Sequence, residues 1–203
     1  VTQEEIEDNL YQKIATSRTR SLAFSMAQAK EVNNHLIYNR AFTSGYVGGD
    51  GVVLCSTAHP NVSGGAYANT PTVAADLSEA SYEDAQISIA GFQDDKGLFI
   101  NVRPKCLIVA RQEKFNAIRL QQSVYRPGTA NNDVNATNLV NAVPGDTVVS
   151  VYLTSPHAWF IRTDAGGDGH GMIYQERTAI KFFQDNEFDT RNMKAGAMER
   201  YSS

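Results

Sequence analysis

From Thr2 to Phe42 the chain contains neither glycine nor proline, and this constrains the fold more than any other feature. With no breaker present the backbone is free to run on as helix, and the apolar residues recur at helical spacing. Ile6, Leu10 and Ile14 stand four apart, and Leu22, Met26, Val32 and Leu36 extend the stripe. Charged and polar residues fill the rest, among them Arg18, Arg20, Lys30 and Glu31. Thr2 and Glu5 make a T-x-x-E capping box, in which hydroxyl and carboxylate each take an orphan N–H. The pattern predicts one continuous helix of about 40 residues, roughly 60 Å long at 1.5 Å per residue. The alternative is two shorter helices broken near Ser17–Ser21. Globular helices average about 11 residues. A rod of the predicted length suits an assembling protein better than a small enzyme.

Beyond Phe42 the chain changes character. Gly45 to Pro71 is rich in Gly, Asn, Ser and Thr, which predicts a long loop with one short strand at Val52–Cys55. Ser78 caps a second helix running to about Gln93, with Ala80, Ala85, Ile87 and Ile89 among its apolar residues. LFINVRPKCLIVA, Leu98 to Ala110, reads as a strand interrupted at Arg103–Pro104 and resumed as the buried run CLIVA. Glu113 to Ser123 is a third helix carrying Phe115, Ile118 and Leu120. GTANNDVNATN, Gly128 to Asn138, is a polar loop. Thr147–Leu153 and Ala158–Thr163 are β-branched and aromatic runs, strand-like, separated by a Ser-Pro turn. GGDGHG, Gly166 to Gly171, is a loop tip. From Tyr174 the tail runs through Ala179, Ile180, Phe182 and Phe183 as a strand and ends in the basic, polar RNMKAGAMERY. The class is α+β, with no internal repeat.

Composition narrows the function. At 203 residues the chain makes one large domain or two small interlocked ones, and 42% hydrophobic residues is ordinary for a soluble protein. With 18 Lys+Arg against 22 Asp+Glu there is no basic excess of the kind a dedicated nucleic-acid binder carries. Two cysteines, Cys55 and Cys106, are too few for a disulfide framework and suit a reducing interior. No apolar run approaches the roughly 18 residues of a membrane span. No secretory leader is expected.

The stretch LCSTAHPNVSGG, Leu54 to Gly65, is the strongest candidate for chemistry. Cys55 and His59 could ligate zinc, but a catalytic site needs at least three protein ligands and a structural one four. The other histidines, His35, His157 and His170, are scattered. A Cys–His nucleophilic pair needs a base oriented by a third group, which adjacency in a loop does not supply. His-Pro-Asn followed by Ser-Gly-Gly is sound turn chemistry, so the loop reads as architecture. Replacing His59 with alanine is accordingly expected to cause local loosening and no catalytic deficit. GGDGHG has the glycines of a phosphate loop without its Lys-Ser/Thr. NNDVNATN lacks the spaced acids of a calcium loop. Arg18, Arg20, Arg162, Arg177, Arg191 and Arg200 are spread along the chain, as solvated charges or as bridges between subunits. No catalytic, cofactor-binding or metal-ligating residue is assigned, and no cofactor is expected.

The order of these segments resembles the major capsid protein of tailed bacteriophages, with its Hong Kong 97-like shell fold. TQEEIEDNLYQKI leading into SRTRSLAFSMAQAKEVNNHLIYNRAF resembles the spine helix of that family. GDGVVLCSTAHPN resembles its G-D-G-x-x-L-x-x-x-x-H-P loop, and LFINVRPKCLIVARQEKFNAIRLQQS the strand–Pro–strand–helix unit of its axial domain. GTANNDVNATN, SPHAWFIRTD and ERTAIKFFQDNEFDTRNMKAGAMERY follow in the family's order. The resemblance implies a peripheral domain at 1–75 (spine helix and following loop), an axial domain at 76–172, and peripheral return strands at 173–203. The family's N-terminal arm and extended loop would precede Val1. It also implies a structural protein, not an enzyme, whose copies form hexamers and pentamers of an icosahedral head shell around phage DNA. Scaffolding protein and portal would be its partners in the host cytoplasm, and no membrane is involved. An encapsulin-like compartment shares the fold and is the alternative. A hydrolase built on Cys55 and His59 is the remote one.

Overall fold

A computed structural model describes residues 1–62, 64–94, 96–126, 133–139, 147–165 and 172–202. The predicted long helix begins with the expected cap. Thr2 Oγ1 accepts from Glu5 N–H at 3.3 Å, and Thr2 N–H donates to the Glu5 carboxylate at 2.9 Å. This starts only a short helix, α1 (Gln3–Glu7), because Asn9 turns left-handed at φ 58° and ends it. Asparagine is among the few side chains that tolerate that conformation. Helix α2 (Tyr11–Asn39) then runs 29 residues without a break. The expected continuity therefore fails at Asn9, and the alternative break at Ser17–Ser21 does not occur.

The chain divides into two compact units, one made of Val1–Asn34 with Met172–Ser203 and the other of His35–Gly171. Residues 35–75 thus fall with the middle of the chain.

The middle unit is organised around β3 (Pro104–Ala110), which pairs parallel with β4 (Val148–Ser150) and antiparallel with β5 (Trp159–Thr163). As the central strand it is covered on both faces, which is why CLIVA is a continuous apolar run and not an alternating one. Leu107 and Val109 point to one face, where they meet Leu77, Tyr82, Ala117 and Leu120. Ile108 and Ala110 point to the other, with Leu153, Tyr38 and Phe160. The first cluster is closed by α3 (Glu79–Ala90) and by α4 (Lys114–Gln122), which follows a 3-10 turn at Arg111–Glu113. Ser78 caps α3 as expected, its hydroxyl accepting from Ser81 N–H at 3.2 Å. Gly91 terminates the helix, so it stops short of Gln93.

Two expected strands are not formed. Val52–Cys55 contributes only an isolated bridge, Val47 to Val53, and the pairing in this loop is instead β1 (His59–Pro60) with β2 (Ala66–Tyr67). Leu98–Arg103 is irregular, because Asp94 takes the N–H groups of Lys96 and Leu98 into a turn, and only Phe99 bridges back to Gln93. In the Asn-rich segment, 128–132 lies outside the described residues, but Ala136–Leu139 forms a helical turn, α5. The buried Asn135 caps it, accepting from Thr137 N–H and donating to Leu120 O at 2.8 Å and Ser123 O at 2.9 Å. GGDGHG, with His170, also lies outside the described residues.

The other unit pairs the helical residues up to Asn34 with a hairpin, β6 (Gln175–Asn186) and β7 (Met193–Ser202). The strand from Tyr174 is as expected, whereas the polar MKAGAMERYS is its antiparallel partner. Its turn is stapled by Glu187, which receives Lys194 Nζ at 2.7 Å and Thr190 Oγ1 at 2.8 Å. Lys30 of α2 reaches Glu199 at 3.0 Å and lies over the rings of Tyr174 and Tyr201 at 5.6 and 5.4 Å. The Tyr174 side chain first, and Glu199 second, hold its ammonium well above the ordinary lysine range.

Candidate functional site

The Cys55–His59 loop is built by local polar links. Asn69 clamps it, accepting from Ser56 N–H at 2.8 Å and donating to Leu54 O at 2.7 Å. Cys55 N–H ties the loop to Ala41 O at 2.9 Å. His59 is buried, and its Nδ1 lies 2.6 Å from Asp50 Oδ2 while its ring stacks on Tyr67 at 5.5 Å. That bond, more than any other contact, holds the Asp50 carboxyl below the usual carboxylate range. Asp50 is the sequence-invisible member of this site, yet one signal was available: it is the sole acid between Thr43 and Asn69.

The arrangement is poor equipment for catalysis. Burial pushes the Cys55 thiol up to about 11, the opposite of what a thiolate nucleophile needs. His59 Nδ1 is engaged by Asp50, and Nε2 is enclosed with no hydrogen-bond partner among the described residues. Among the described residues, no three of His, Cys, Asp and Glu converge to hold a metal ion. The His35 ring lies tilted against those of Tyr38 and Tyr152, and His157 Nδ1 lies 3.0 Å from Glu113. His35, His59 and His157 thus sit in separate places. Of the candidate arginines, Arg18 forks onto Glu5 at 2.9 and 3.2 Å, within the chain. Arg20, Arg162, Arg177, Arg191 and Arg200 are exposed.

A different feature is functional in kind, and sequence reading passed over it. Among the described residues, every buried side chain belongs to the middle unit, and none belongs to the unit of helix and hairpin. In that second unit Phe24 is 70% exposed, Phe182 56%, Phe183 58% and Phe188 95%. Ile173, Ile180 and Met198 of the same unit are exposed too. Isolated apolar residues on a surface are normal, but clusters of large ones mark interaction sites. The stripe that predicted the helix is real as a pattern; Ile14, Leu22 and Met26 are half-covered and not buried. No helix among the described residues is long and apolar enough to cross a membrane.

Comparison with known proteins gives one match. A family model described as phage capsid protein matches residues 1–201. No curated protein and no solved structure matches the chain.

Proposed function

The chain belongs to the phage capsid protein family, and from that premise we propose that it is the major capsid protein of a tailed phage, built on the Hong Kong-type shell fold. As a capsid protein it is structural, and its copies form the shell of the virion head. The finer reading keeps a peripheral domain at 1–75 and 173–203 with an axial domain at 76–172 inserted between them. Copies would meet through axial domains around five-fold and six-fold centres, and through peripheral domains between those rings. Heterologous contacts that close on themselves make rings, and modest changes of curvature let rings close into a shell. The formal charge of −4 agrees with an inner surface that does not trap packed DNA. Scaffolding protein and portal are the partners this reading requires.

The observation that carries the proposal is the coreless unit. A long helix and a two-stranded hairpin with no fully buried side chain among the described residues are unfinished as a monomer, since an isolated hairpin is at best marginally stable in water. They are complete once neighbours cover them. The test is sedimentation and negative-stain microscopy of the protein expressed alone and with its scaffolding protein. Rings and closed shells are expected, with DNA-packaging particles in the infected cell. A chain that stays monomeric under both conditions overturns the reading, and shells that instead enclose an enzyme cargo convert it to the compartment alternative.

A further inference from the structure

The two outer edges of the β6–β7 hairpin are not equivalent. At the start of β7, Met193 N–H donates to Val1 O at 3.0 Å, and Val1 N donates to Met193 O at 3.1 Å. Gln3 N–H adds a bond to Asn192 Oδ1 at 3.2 Å. The N-terminal residues therefore occupy this end of the β7 edge. The β6 edge has no neighbouring strand among the described residues. It is 12 residues long, contains no proline, and carries the exposed Ile180, Phe182 and Phe183. Such an edge is a template for another strand unless something covers it.

Its sequence says which strand. The register shifts of β6 lie before Lys181, so Lys181 to Asn186 pairs with β7 without interruption. Alternation puts Lys181, Phe183 and Asp185 on one face. Phe183 is held in place by its cross-strand neighbour Gly196, where an added Cβ would stand 2.6 Å from the ring. Lys194, opposite Asp185 in the hairpin, gives its ammonium to Glu187 instead.

We propose that β6 pairs antiparallel with β6 of a second copy of this chain, about a two-fold axis at Phe183. Lys181 then faces Asp185 of the second copy, Asp185 faces its Lys181, and the two Phe183 rings meet between these ion pairs. The charges select this arrangement, because parallel in-register pairing sets Lys181 against Lys181 and Asp185 against Asp185. A one-residue slip sends Phe183 and its charged neighbours to opposite faces from their partners. The result is a continuous four-stranded antiparallel sheet shared by two subunits. The inference takes its occupant, a copy of the same chain, from the assembly reading above.

Charge reversal tests it. In sedimentation velocity over a concentration series, Lys181→Asp and Asp185→Lys each replace attraction by like-charge opposition and should weaken self-association roughly tenfold or more. The double swap restores both pairs and should restore association. As an independent readout, Phe183→Cys should form an intermolecular disulfide under mild oxidation, whereas Ile180→Cys, which faces Asn186 of the second copy, should not. The parent chain, with Cys55 and Cys106 half-buried, is the control. Single variants that associate like the parent, a double swap without rescue, or equal crosslinking at both cysteines overturns the strand pairing. If the parent still builds shells in that event, the assembly reading stands without it; a parent that never associates removes both.

Discussion

In the middle unit Leu107, Val109 and Ala117 are fully enclosed beside Tyr82, and the strand that carries Leu107 and Val109 is covered on both faces. In the unit made from the two ends of the chain, Phe24, Phe182 and Phe183 keep more than half their surface in water. Both regions expose large apolar side chains, Phe42, Phe99 and Phe115 of the middle unit among them; what differs is that, among the described residues, only the middle unit also has a buried core. The middle unit draws its stability from within. The other draws on caps, a few ion pairs and the Lys30 clamp, and leaves its largest hydrophobic contribution to be realised on association. Burying one Phe ring is worth about 1.5–3 kcal/mol before the costs of docking.

This contrast predicts that substitutions in the two units will register in different experiments. The largest effect on folding is expected from Leu107→Ala, a cavity in a fully enclosed site, at about 2–5 kcal/mol in chemical denaturation. Asn135→Ala comes next at about 1–3 kcal/mol, since it strands Leu120 O, Ser123 O and Thr137 N–H, and the same denaturation series will rank it. The two helix caps make a matched pair. Ser78→Ala should cost about 1 kcal/mol of global stability, while Thr2→Ala should leave the global transition in place and appear only as faster amide exchange over α1. Phe24→Ala should leave the unassembled chain within about 0.5 kcal/mol of the parent, yet reduce assembly seen by sedimentation. Should Phe24→Ala unfold the monomer, the contrast between the units would be lost.

The smallest expected effect is on acid stability. Because the His59 bond holds Asp50 below its ordinary value of 3.8, that carboxyl stabilises the fold above the ordinary value. Its contribution disappears as pH falls through the lowered one. His59→Ala removes the largest cause of that lowering, so stability should fall slightly above the ordinary value, neutrality included, and stay unchanged at the most acid end, which makes the acid limb of a pH-denaturation curve shallower.

How much of this was legible beforehand depended on whether a segment's conformation is set locally. The caps at Thr2 and Ser78 and the buried CLIVA run were readable, since capping chemistry and a central strand leave direct signatures. Asn9 was not, because an asparagine turning left-handed looks in sequence like any polar residue on a helix face. MKAGAMERYS gave no strand signal: Lys, Ala, Gly and Glu have low strand preference, and cross-strand pairing with β6 decides their state. Leu98–Arg103 misled in the opposite sense, its apolar residues left exposed by the turn at Asp94. At the Cys55–His59 loop, sequence reading found the turn but not its Asp50 tether, which spans nine residues.

The division of the chain also sets an order in time. The middle unit is one continuous stretch, His35 to Gly171, and the hairpin follows it in synthesis. Domains generally fold as units during synthesis. The helix that emerges first must wait for the last thirty or so residues before Lys30 can find Glu199 and Tyr201. The unit with no buried side chain among the described residues is therefore completed only after the middle unit has been synthesised. The segments that hold the buried core thus precede the exposed Phe182, Phe183 and Phe188 in the order of synthesis.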